Sequence, residues 1–189
     1  MIKILAICTV LWAGLYNIFL QATGTYSGDL GPDDTLQWSS YYRLTTDDFM
    51  GVPDKNSNHA AITATGILYY INYSADNSLV VNTEAVFYKK FSWFNRDLIS
   101  DYFYALKHEQ GHFDIAEIFA RRLRVALYRF LQDPANKDVD VQNVFDEIMA
   151  EEKAMQQLYD KETQNSTNAR KQYEWDRKIY NLLREGERD

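Results

Sequence analysis

The sequence predicts an α+β domain in which a small antiparallel sheet packs on a long helix and two further helices close the core. Three observations carry this reading. β-branched and aromatic residues dominate up to about residue 95, helical periodicity takes over beyond it, and the two longest strand-like runs are separated only by turn-forming residues. Of the 189 residues, 46% are hydrophobic and 25% charged, which suffices for one domain with its own core.

The elements follow in chain order. Lys3 precedes the nearly unbroken apolar run "ILAICTVLWAGLYNIFL" and then "QATG", where Ala22 and Gly24 form a small-x-small pattern. That is the pattern of a secretory signal peptide over residues 1–24, with a periplasmic or extracellular product. A retained N-terminal anchor is the alternative, disfavoured by the shortness of the run and by Asn17. Residues 25–35 ("TYSGDLGPDDT") read as a polar linker and 36–189 as the domain. "WSSYYRLTTDDFMGVPD" (38–54) adds a strand and then a loop. "AAITATGILYYINYS" (60–74) and "SLVVNTEAVFYKKFSWF" (78–94) form a hairpin across "ADN". The first helix is expected from Asn95, as N-cap, to the "DP" at 133–134. A second covers about 140–162, with Val141, Val144, Phe145, Ile148, Met149, Met155, Leu158 and Tyr159 on one stripe. A third covers about 168–185, with Trp175, Ile179, Leu182 and Leu183 in helical register.

Composition excludes several chemistries. Cys8, the only cysteine, lies in the leader, so the remainder has neither disulfides nor a thiolate metal site. Losing the leader removes a lysine and no acid, so the product is more acidic than the formal charge of −7, which argues against a nucleic-acid partner. No stable membrane span is expected once the leader is gone.

Residues 108–117, "HEQGHFDIAE", place two of the three histidines four apart in the first helix. At about 100° per residue, His108 and His112 share a stripe with Ile115, Phe119, Leu123, Ala126 and Phe130, so both imidazoles point inward. Two ring nitrogens one turn apart can share a tetrahedral ion. Glu109, about 100° round the helix, can reach a water on that ion without ligating it, the arrangement of H-E-x-x-H metallopeptidases. Gly111 costs roughly 1 kcal/mol against alanine inside a helix, which close approach by another backbone or a substrate would justify. Two hydrogen-bonded core histidines would share the same stripe and are the bland alternative. Asp114 and Glu117 face away from the pair and are expected in solvent. His59, in "NSNHAA", reads as a surface loop residue.

Three stretches, "LTTDDFMG" (44–51), "HEQGHFDIAE" (108–117), and "YDKET" followed by "NARKQYEW" (159–175), resemble the landmarks of a family of bacterial exported proteins of unknown function, predicted to be zinc-dependent proteases. The resemblance spans the chain beyond the leader. It implies a zincin-like fold, peptidase activity, His108 and His112 as zinc ligands, and Glu109 as the catalytic carboxylate. The chain departs from the family's usual pattern at Thr46, where tryptophan is common, and at Asn165, where a histidine stands as the natural third zinc ligand.

The second helix offers an internal replacement. Glu152 falls at the centre of its apolar stripe among Ile148, Met149 and Met155, where a carboxylate is costly unless paired or bound to metal. Glu152 is therefore the expected third ligand, with an ion pair to Arg122 as the alternative. Tyr159 could stabilise an oxyanion, although nothing in the sequence selects it. The function expected is hydrolysis of a peptide or protein substrate outside the cytoplasm, with zinc as cofactor and Glu109 as general base. A degenerate zincin that binds a peptide or envelope partner without cleaving it is the rival, supported by Asn165. A purely structural envelope protein is the third reading and requires the histidine pair to be incidental.

Overall fold

The computed structural model describes residues 3–8, 20–21, 32–57, 59–136 and 140–186. The expected cleavage region around Ala22 and Gly24, and the linker as far as residue 31, lie outside the described residues. The strands are β1 (Lys3–Cys8), β2 (Leu20–Gln21), β3 (Thr35–Gln37), β4 (Ala61–Ile62), β5 (Thr65–Tyr73), β6 (Leu79–Tyr88) and β7 (Trp93–Phe94). The helices are α1 (Tyr102–Gln132), α2 (Gln142–Thr163) and α3 (Ala169–Glu185). The chain is thus an α+β protein, with three α-helices and small antiparallel sheets among the described residues.

The hairpin is β5 with β6. Its turn is closed by Asn77 in the left-handed region, at φ 63°, and by a Ser74 N–H to Ser78 carbonyl bond of 2.9 Å. The register Thr65↔Phe87, Ile67↔Ala85, Tyr69↔Thr83 and Ile71↔Val81 gathers the larger apolar residues on one face. That face packs on α1, where Phe113, Ala116, Phe119, Ala120, Leu123 and Leu127 are buried in the same core. A hydrogen bond of 2.6 Å from the Thr83 hydroxyl to the Ala120 carbonyl ties β6 directly to the helix. The full sheet runs β2-β1-β5-β6-β3, and β4 with β7 form a separate two-stranded ribbon. Cleavage after residue 24 would remove β1 and β2 and leave β5 at the sheet edge.

Three sequence expectations need correction. The strand placed in 38–54 is Thr35–Gln37 instead, and 38–54 forms loop with a 3-10 turn at Thr46–Asp48. Its residues turn away from the ladder to cover α1: Trp38 Nε1 donates to Asp114 at 2.8 Å and the Leu44 N–H to Gln110 Oε1 at 2.8 Å. Asn95 caps only a 3-10 turn at Arg96–Leu98. The N-cap of α1 is Asp101, whose carboxylate accepts from the Tyr104 N–H at 3.0 Å. Asp114 and Glu117 are not in solvent, because α1 is covered by the sheet, the 38–54 loop and two helices. Asp114 accepts from Trp38 and from Gln110, and Glu117 pairs with Arg121 at 2.8 Å; burial pushes both carboxyls above their usual range.

α1 and α2 form an antiparallel helical pair joined through residues 133–141, with α3 packed against both. Gly111 on α1 faces Tyr159 on α2 at close range. A Cβ there would fall on the Tyr159 hydroxyl and lie 2.7 Å from its Cζ, so only glycine admits the ring. Tyr159 is fully buried, stacks on the His108 ring at 4.6 Å, and donates to the His108 carbonyl at 3.1 Å.

Gly111→Ala therefore sets a helix-propensity gain of about 1 kcal/mol against an overpacking cost of about 1–3 kcal/mol. Net destabilisation is expected in chemical denaturation. The loss should be smaller when the change is made in Tyr159→Phe, because the atom overlapped most is gone; equal losses in both backgrounds would remove close approach as the cause.

Candidate metal centre

The i, i+4 spacing puts His108 and His112 on successive turns of α1, facing α2, with ring centroids 4.9 Å apart and edge-on. Asp160, on the last turn of α2, reaches between them. Its Oδ1 lies 3.3 Å from His108 Nε2 and 2.9 Å from His112 Nε2. The three donor atoms fall within 4.8 Å of one another, and among the described residues no other group of His, Cys, Asp and Glu donors is gathered in this way. Zinc bonds of about 2.0–2.1 Å at a tetrahedral angle hold ligand atoms about 3.3 Å apart, so the two nitrogen–oxygen separations lie near that value and the nitrogen and oxygen chemistry suits such an ion.

The other ring nitrogens are also engaged. His108 Nδ1 is 3.0 Å from Gln172 Oε1 on α3, and His112 Nδ1 is 2.6 Å from Gln156 Oε1 on α2. Each imidazole is thus held at Nδ1 and presents Nε2 to Asp160.

The remaining expected residues fall into place around this centre. Glu109 is buried, at 6% exposed, and its charge acts on His112 and Tyr159. Glu152 is buried as well but is not in the gathered group: its Oε1 accepts from Gln156 Nε2 at 2.8 Å, one link behind His112. Arg122, considered as its partner, pairs with Glu151 at 3.8 Å. Tyr159 spends its hydroxyl on the His108 carbonyl and on Gln172 Nε2, at 2.7 Å, and does not offer it to an oxyanion. Asn165 is exposed in a left-handed turn that closes α2, and its N–H donates to the Asp160 carbonyl at 3.0 Å.

Sequence reasoning missed Asp160, Gln156 and Gln172. Two of the three lie in stretches already singled out, Asp160 inside "YDKET" and Gln172 inside "NARKQYEW". The available signal was the residue after Tyr159: a glycine such as Gly111 asks for a large side chain opposite, and its neighbour then faces the histidines.

A family model described as "Bacterial protein of unknown function (DUF922)" matches residues 99–168. That stretch contains α1, α2 and the whole His108, His112 and Asp160 group. No curated protein matches, and no solved structure matches.

Without metal, charge balance in the centre falls on protons. Burial alone would lower the proton affinity of His112. The Asp160 charge and hydrogen bond outweigh it, Glu109 and Gln156 add to them, and the pKa is pushed up to about 9. Burial likewise opposes ionisation of Asp160, but His112 and His108 hold its carboxyl well below the usual range. For His112 the folded value lies above the unfolded one, so its contribution is full below pH about 6.5 and is lost as pH rises through about 9. The Asp160 contribution is present above about pH 4 and is lost on acidification. Metal-free protein should therefore lose stability, on the order of 3 kcal/mol, between pH 6.5 and 9.5. In Asp160→Asn that slope should largely disappear; an unchanged slope in thermal melts would show that this pair is not its source.

Proposed function

We propose that the chain is an exported zinc-dependent peptidase with His108, His112 and Asp160 as metal ligands and Glu109 as general base. The observation that carries this reading is the meeting of two imidazole Nε2 atoms at one carboxylate oxygen, all within 4.8 Å of one another, with a second buried carboxylate, Glu109, next to His108 in the chain and outside the gathered group. Zinc, when bound there, supplies a Lewis acid that polarises a carbonyl and acidifies water.

The chain's own groups supply the rest. The Glu109 carboxylate takes the proton of the attacking water and passes it to the departing amine, the role a carboxylate adjacent to a ligand in the same helix can fill. The sheet, α2 and α3 all pack against α1, so the base and the two histidines sit on a helix supported on several sides and Asp160 on a helix packed against it. The non-hydrolytic reading rested on Asn165 in place of a histidine. Asn165 lies exposed in the turn after α2, while Asp160 offers the third donor atom which that reading counts as missing. That contrast favours hydrolysis over binding alone. No helix among the described residues is long and apolar enough to cross a membrane.

Purified protein should carry about one zinc per chain by elemental analysis, lost in His112→Ala and in Asp160→Ala. Glu109→Gln should keep its zinc and lose turnover on a peptide library by about 100-fold or more. Negligible zinc in wild type after remetallation rejects the reading. Zinc without turnover in wild type and Glu109→Gln alike favours the binding protein.

Export rests on the leader, "ILAICTVLWAGLYNIFL" followed by "QATG". Mass spectrometry of protein from the native compartment should find an N-terminus near Thr25. A chain beginning at Met1 and recovered from the cytoplasm would contradict it.

A further inference from the structure

The two glutamines behind the histidines form a matched arrangement. Gln172 is 1% exposed. Its Nε2 lies 2.7 Å from the Tyr159 hydroxyl and 2.8 Å from Asp176 Oδ1. The Nε2 of Gln156 lies 3.0 Å from the His112 carbonyl and 2.8 Å from Glu152 Oε1. A carboxylate and a peptide carbonyl accept only, and the Tyr159 hydroxyl has given its own proton to the His108 carbonyl. Both protons of each amide are therefore committed, and neither amide can turn its NH2 toward a ring. What each presents to a histidine is a carbonyl oxygen, an acceptor. Nδ1 of His108 and of His112 must then carry hydrogen, and on a neutral ring the lone pair is left on Nε2, the atom that faces Asp160.

We propose that Gln172 and Gln156 are positioning residues for the metal centre, each oriented by a buried or ion-paired carboxylate, Asp176 for Gln172 and Glu152 for Gln156, so that both imidazoles offer Nε2 as ligand. The proposal rests on the metal reading above. It assigns Glu152 a place one hydrogen bond behind a ligand and gives Asp176 the equivalent place on the other side. Asp176 is anchored in turn by Lys107, at 2.5 Å, on the α1 turn that carries His108. The two relays start from different helices, α2 and α3, so α3 becomes part of the centre although it contributes no donor to the gathered group.

The test uses the purified protein, zinc and a competing chelator. Gln172→Leu and Gln156→Leu should each weaken zinc binding by about 10–100-fold, the usual effect of removing an outer partner of a histidine ligand. Glu152→Gln and Asp176→Asn preserve shape and folding but let the amide reverse, and should weaken it by a smaller factor. Circular dichroism checks that each variant is folded, and the two isosteric changes decide the matter if a leucine variant is not. Unchanged zinc affinity in folded variants overturns the proposal, and abolition of zinc binding by Glu152→Gln overturns it by making Glu152 a ligand itself. Nitrogen-15 NMR of the histidines separates this from failure of the metal reading. In Asp160→Ala without zinc, where no carboxylate competes for Nε2, both neutral rings should hold hydrogen on Nδ1, and Gln172→Leu should move that of His108 to Nε2. That result with a wild type that binds no zinc keeps the positioning role and rejects the metal. Rings with hydrogen on Nε2 regardless of the glutamines reject the positioning role even if zinc binds.

Discussion

The contact on which the centre depends is Tyr159 against Gly111. A helix pair carries two kinds of information, which faces meet and how far one helix is slid along the other. Apolar stripes fix the first, because burial rewards any register that keeps them together. The second needs a specific lock, and a tyrosine ring seated where no Cβ exists is one. With the Tyr159 hydroxyl on the His108 carbonyl, the next residue, Asp160, is carried to the two Nε2 atoms, and Gln156, one turn earlier on α2, to His112 Nδ1. Sliding α2 by one turn would move these groups by about 5.4 Å and break every one of these contacts.

That distinction explains what could be read from the sequence. The hairpin, the three helices, the inward histidines and the gathering of both on one face follow from local periodicity and turn chemistry. The third donor does not. Glu152 and Asp160 are eight residues apart, about 12 Å along the axis of α2, and Asp160 lies about 80° round the helix from Glu152, at the edge of the apolar stripe and not at its centre. Periodicity therefore ranks Glu152 first. Burial cost favoured Glu152, since a carboxylate among methionines and an isoleucine must be compensated. The inference of compensation was sound, and the compensating group is Gln156. The start of α1 differs for a related reason: Asn95 and Asp101 are both good caps, and the Asn95 side chain caps the 3-10 turn at Arg96–Leu98 while that of Asp101 caps the helix.

Burial of so many polar groups around α1 follows from placing the helix that carries the histidine pair between a sheet and two helices. His108, Glu109, Gln110, Asp114, Glu152, Thr163 and Gln172 are all buried. Unpaired, each would cost on the order of 1–3 kcal/mol, enough together to exceed the stability of a typical domain. Glutamine recurs because one amide accepts on one side and donates twice on the other. It can therefore join a histidine to a carboxylate, or, as Gln110 does between Leu44 and Asp114, a loop to a helix. These bridges draw the 38–54 loop, α2 and α3 to the same two turns of α1.

Three bodies of chain thus converge on residues 108–114, which clarifies the motifs scattered along the sequence. "LTTDDFMG" supplies the Leu44 N–H that meets Gln110, "YDKET" the ring and carboxylate that meet Gly111 and the histidines, and "NARKQYEW" the amide that meets His108. None of these partners is close in sequence to the helix it serves, and apart from the Tyr159 ring each makes its contact through polar atoms. A stripe of hydrophobic residues would have assembled α1, α2 and α3 without them. Their presence is the mark of a fold in which polar contacts set the axial positions and the apolar core supplies the free energy to hold them. On this argument the centre should be more sensitive to Tyr159 and Gly111, which fix its register, than to the aliphatic residues that contribute most of its buried surface.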